Sequence, residues 1–124
     1  MLIKKLTRCP EITANDGCRL REALHPERDP VDIPYSLAFA RVEPGEATDP
    51  HFLRGQTEVY SLLRGQGRMH VGDDVRDVEA GDTLVIPPGA FQWIENTGDE
   101  LLHFIALVSP PWNADDDVLA SSSS

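Results

Sequence analysis

The sequence predicts an all-β domain, an antiparallel barrel or sandwich, from three observations. Between residues 36 and 108, eight short apolar runs are separated by turn-forming Gly, Pro, Asn and Asp at regular spacing. No stretch carries the 3.6-residue apolar period of an amphipathic helix. Ten prolines and nine glycines are scattered rather than clustered, which suits a turn-rich globular chain and not a disordered one. At 124 residues, one core is the expectation.

In chain order, residues 2–6 read as a short strand alternating around two lysines. Residues 9–34 carry Pro10, Asn15-Asp16-Gly17, Pro26, Asp29-Pro30 and Pro34, too much punctuation for a long helix. Within them residues 19–24 fit either a brief strand or a turn of helix, and the whole segment 1–34 is expected to be an arm that wraps the core. Residues 36–42 form the first barrel strand, ended by Glu43-Pro44-Gly45, where Pro fixes one φ and Gly supplies the other. Strands over 51–53 and 58–63 follow, then a turn at residues 64–67. Residues 68–71 and 75–78 flank Gly72-Asp73-Asp74 as a tight hairpin. Residues 83–86 lead into Pro87-Pro88-Gly89, then 91–94, a turn at 96–99, and a last strand over 101–108. Ser109-Pro110-Pro111-Trp112 ends it, because proline cannot donate to a ladder. The barrel domain is therefore expected over residues 35–112. Residues 113–124, with three aspartates and four terminal serines, are expected to be a frayed, disordered tail.

Strand alternation then assigns faces. With His51 inward, Leu53 follows; with Glu58 inward, Tyr60 and Leu62 follow; with Gln92 inward, so is Ile94. The expected interior holds an imidazole, a carboxylate, an amide and a phenol among apolar neighbours. A buried Glu needs a cation, an Arg or a shifted pKa. The opposite positions, Val59, Leu63, Phe91 and Trp93, are too apolar to face water together, so a homodimer or the N-terminal arm is expected to cover them.

The net charge of −10 argues against nucleic acid and anionic membrane surfaces as partners. Arg41, Arg54, Arg64 and Arg68 around the His51 segment suggest a locally basic rim, suited to a small anionic ligand. Residues 1–8 lack the apolar run of a signal peptide, so a cytoplasmic location is expected. Cys9 and Cys18 match no metal spacing and are expected as free thiols. His25, His70 and His103 are expected to be structural or exposed.

Gly45, His51, Glu58 and Gly65 stand in register with the first motif of the cupin superfamily, and Gly81, Pro87, Gly89 and Asn96 with the second. Over residues 35–112 the chain resembles a small single-domain microbial cupin of the sugar-isomerase-like kind. The resemblance implies a double-stranded β-helix, the jelly-roll barrel, open at one end, holding one divalent metal (Zn, Fe, Mn or Ni) on three His and one Glu. The sequence departs from that set: Leu53 stands where the second His would be, and Gln92 where the third would be. What remains as a metal set is His51, Glu58 and Gln92, with Leu53, Tyr60 and Ile94 lining the ligand pocket.

Two readings stay open at this point. One is a metal-dependent isomerase, lyase or dioxygenase acting on a sugar derivative or organic acid, with Tyr60 or Glu58 moving a proton. The other is a non-catalytic, metal-free module that binds or senses a small molecule. No catalytic residue is assigned by the sequence.

Overall fold

The structure, a computed structural model, describes residues 1–120. Its strands are β1 (Glu11–Thr13), β2 (Arg19–Leu24), β3 (Ser36–Val42), β4 (His51–Leu53), β5 (Thr57–Arg64), β6 (Gln66–Val71), β7 (Asp74–Glu79), β8 (Thr83–Ile86), β9 (Gln92–Asn96), β10 (Leu102–Ser109) and β11 (Asp117–Leu119). The only helical pieces among the described residues are 3-10 turns at Leu6–Arg8 and Ala114–Asp116. None is long and apolar enough to cross a membrane.

All strand pairs are antiparallel and fall into two sheets. One runs β1-β2-β3-β10-β5-β8, the other β11-β4-β9-β6-β7. The core lies between them: Val42, Leu62, Leu102 and Phe104 from the first sheet meet Met69 and Ile94 from the second. Alternation is strict along β10, where Leu102, Phe104, Ala106 and Val108 are buried and their neighbours are not. This is the period-2 pattern of strands packed on one face.

The two ends of the barrel differ because the inward side chains differ in size. At one end Leu62, Leu102, Met69 and Ile94 fill the space. Toward the other, the inward positions of β3 and β10 become Ala40, Ala38 and Ala106, with Ala38 and Ala106 directly paired. Small residues facing one another leave room, and a cavity of about 490 Å³ occupies that end.

The motif glycines are structural. Gly65 has φ +84°, and a Cβ there would meet the Leu101 carbonyl oxygen at 2.6 Å, so both conformation and space demand glycine. Asn96 is buried and ties the closed end together. Its side-chain amide donates to the carbonyls of Val42 and Glu100, both at 2.9 Å, and its Oδ1 accepts from Gly98 N at 2.9 Å.

Three expectations are corrected. Residues 2–6 form no strand; a 3-10 turn begins at Leu6 instead. The arm does more than wrap, since β1 and β2 extend the six-stranded sheet through pairing with β3, and residues 19–24 resolve as strand. The tail expected to fray is ordered through Ala120: β11 pairs with β4 over three residues, Arg54 N donates to Asp116 O at 2.9 Å and Gln56 Nε2 to Asp116 Oδ2 at 2.8 Å. Asp116, expected in the frayed tail, thus serves as acceptor for the segment that follows β4. Residues 121–124, part of the expected tail, lie outside the described residues.

Candidate functional site

The hollow end of the barrel gathers side chains from three parts of the chain. From the barrel come His51 and Leu53 on β4 and Glu58 and Tyr60 on β5, with Ala106 and Val108 on β10. The arm adds Asp16 and Cys18 from the turn between β1 and β2. The C-terminal segment adds Trp112, Ala114 and Asp117. Strand alternation anticipated His51, Leu53, Glu58 and Tyr60. The arm and C-terminal groups were not legible, because their position depends on long-range pairing and not on local pattern.

His51 pairs with Gln92 across β4 and β9. Its Nδ1 lies 3.1 Å from the Asp49 carbonyl and 3.6 Å from Asp16 Oδ2. Donation from Nδ1–H to that carbonyl leaves Nε2 as the nitrogen with its lone pair free. Behind Glu58 stands a directed chain. Tyr60 OH donates to Gln92 Oε1 at 3.1 Å, so the Gln92 NH₂ is turned toward Glu58, where it favours the charged carboxyl. Glu58 is 8% exposed, and its Oε1 has no hydrogen-bond partner.

Burial dominates the electrostatics of this end. Desolvation pushes the Glu58 carboxyl up to about 8, against the Gln92 hydrogen bond that lowers it, and the charges of Asp16 and Asp117 push further upward. Burial also raises Asp16, opposed first by His51. Tyr60 and the Cys18 thiol are raised by burial and then by the nearby carboxylates. Each responds to the same surroundings, a desolvated pocket with a negative field. Cys18 is consequently a poor nucleophile.

Ile94, expected to line the pocket, is fully buried in the core cluster, and Gln92, expected as a metal ligand, stands behind the cavity wall; neither lines the cavity. The basic rim does not form. Arg41 is held by Glu11 and Glu43, Arg68 by Asp77, Arg64 lies 3.9 Å from Glu100, and Arg54 packs over the Phe52 ring. None of the four lines the cavity; Arg28 does, and it is paired with Glu22.

The other histidines are accounted for. His25 is buried, with Nε2 2.8 Å from the Trp112 carbonyl and Nδ1 accepting from Glu27 N, which fastens the arm to the end of β10. His70 stacks on Trp93 with ring centroids 4.0 Å apart. His103 lies between buried neighbours on β10 and is half-exposed.

As metal donors these residues fit poorly. The Gln92 oxygen is already engaged by Tyr60, and Leu53 has no donor. That leaves one free imidazole nitrogen and one acid, short of the three donors of a facial metal site. Among the described residues no three His, Cys, Asp or Glu side chains are grouped to hold a metal ion.

A family model described as a cupin domain matches residues 38–108. An uncharacterized protein of Methanocaldococcus jannaschii is 36% identical over 107 residues, covering 86% of this chain and 84% of that one. An oxalate-binding protein of Thermotoga maritima is 35% identical over 72 residues, 56% of this chain and 60% of its own length. A gentisate 1,2-dioxygenase of Haloferax is 39% identical over 57 residues, only 16% of that enzyme. Among solved structures, a cupin 2 conserved barrel domain protein from Salinispora arenicola superposes with TM-score 0.75 at 23% identity, over 93% of this chain and 91% of that one. A predicted oxalate decarboxylase from Thermotoga maritima gives 0.76 at 23%, over 88% and 99%. Bacillus subtilis oxalate decarboxylase, which has Mn(II) centres, gives 0.78 at 24%, with this chain spanning 31% of it. The structural likenesses speak to the fold.

Proposed function

The chain belongs to the cupin domain family, and from that premise we propose that it is a small-molecule-binding cupin whose chamber is organised by hydrogen bonds and not by a resident metal. The carrying observation is the directed chain Tyr60–Gln92–Glu58. Where the family resemblance implies histidine ligands, Leu53 supplies apolar wall and Gln92 supplies an amide whose two ends are both used inside the protein. A cavity of about 490 Å³ falls within the range of small-ligand sites, roughly 300–1,000 Å³. Phe104, Trp112 and the alanines give it apolar walls, and Glu58, Asp16 and His51 give it one polar end. This division suits an organic molecule with an apolar body and a single polar group.

The test is metal analysis of protein purified without chelator, after supplementation with Fe, Mn, Ni and Zn, beside His51→Ala and Gln92→Ala. The expected result is well under one equivalent of any of the four, with no difference between wild type and variants. One equivalent of metal lost in both variants would overturn the reading and favour a metal-dependent enzyme.

A further inference from the structure

We infer that the chamber takes an organic cation, an ammonium group carried on an apolar body, and discriminates against carboxylates. This rests on the reading of the chamber as a metal-free ligand site and goes on to name the ligand's charge. The argument begins with the ionisable groups that line the cavity: Asp16, Glu22, Arg28, His51, Glu58 and Asp117. Arg28 is paired with Glu22, and at the rim that pair cancels. His51 faces Asp16 across 3.6 Å, which compensates one acid at most. Asp117 is held by Trp112 Nε1 at 2.9 Å and Asn15 Nδ2 at 3.4 Å, neither of which is a cation. Glu58 receives only the neutral Gln92 amide, and its Oε1 is buried without any partner.

Two acids are thus left without a cation at the desolvated end of a cavity. An unpartnered buried carboxyl oxygen is costly, and a ligand that supplies a donor there recovers that cost. An ammonium offers three donors and a charge of the right sign. A carboxylate offers only acceptors, and its charge is opposed by Asp117 and by each proton that Asp16 or Glu58 gives up, whereas an ammonium favours the charged form of every one of them. The net charge of −10 steers in the same direction. Size separates this chamber from one built for a two-carbon diacid, which would leave most of about 490 Å³ unfilled. The Phe104, Trp112 and Tyr60 rings instead offer contacts to a ligand body of several carbons.

Calorimetric titration of wild-type protein at neutral pH with benzylamine, benzyl alcohol and benzoate separates charge from shape. Benzylamine is expected to bind at least about tenfold more tightly than benzoate, with the alcohol between them. Glu58→Gln is expected to weaken benzylamine by about tenfold or more while leaving benzyl alcohol within about twofold. Asp16→Asn, which leaves the Tyr60–Gln92–Glu58 chain intact, is expected to weaken the amine by a smaller factor. Benzoate binding as tightly as benzylamine, or amine affinity unchanged in both variants, would overturn the cation assignment while leaving the metal-free chamber in place. Absence of binding by all three probes would remove the chamber reading together with it.

Discussion

Glu58 is the residue on which the site turns. Its position facing inward with Tyr60 follows from alternation along β5 and was legible in the sequence. Its protonation was not, because that depends on what surrounds it: burial, the Gln92 amide, and two aspartates from opposite ends of the chain. The sign of the consequence is fixed. The folded acid keeps its proton to about pH 8, whereas the unfolded one releases it near 4.5. Between those values the native state binds more protons, so stability falls as pH rises. The contribution is complete below 4.5 and is lost through about pH 8, and the raised Asp16 acts in the same direction. Thermal unfolding is expected to show a Tm that drops across this window by about 5 °C or more, and Glu58→Gln is expected to flatten that slope. A Tm profile identical in wild type and variant would show that the carboxyl ionises freely in the folded protein. Asn96 is the converse case: its place in the glycine-bracketed motif reads from sequence, and its three hydrogen bonds explain it as a clamp, not a ligand.

At the scale of elements, β4 shows how a short strand can carry function without being self-sufficient. It has three residues and joins β9 through the single pair His51 and Gln92, yet pairs with β11 along its whole length. The C-terminal segment therefore holds His51 and Leu53 in place from the outer edge. Deletion of residues 113–124 is expected to raise amide exchange of residues 51–54 by about a hundredfold, with Tm lowered by several degrees. Exchange at those amides unchanged from the full chain would show that β9 alone suffices. The segment carrying aspartates 115–117 reads as a frayed tail because charge composition alone cannot reveal that Asp116 accepts from Arg54 and Gln56.

At the scale of the molecule, the outward apolar residues divide between sheets. Val59 and Leu63 stand on β5 in the six-stranded sheet. Trp93 on β9 belongs to the five-stranded sheet, beside Phe91 just ahead of that strand. Phe52 and Phe91 meet edge to face at 5.0 Å, Trp93 stacks on His70, and Phe91 and Val75 remain 39% and 50% exposed. Apolar side chains gathered on one sheet are the kind of surface a two-fold pairing covers. Light scattering is expected to give twice the chain mass of 13.7 kDa, and Phe91→Glu to shift it to the monomer. A monomeric wild type at micromolar concentration would leave those side chains as plain surface.

The sequence alone determined an antiparallel all-β domain, barrel or sandwich, the inward faces of β4, β5 and β9, and the glycine and asparagine positions that shape its turns. Each follows from period-2 alternation or from a backbone demand that a single residue type meets. Only the tertiary structure decided that Asp16 and Asp117 join Glu58 at the hollow end, that the arginines pair elsewhere, and that Gln92 is spent on Tyr60 and Glu58. Charge and hydrogen bonding depend on which distant segments meet, and no local pattern encodes that meeting.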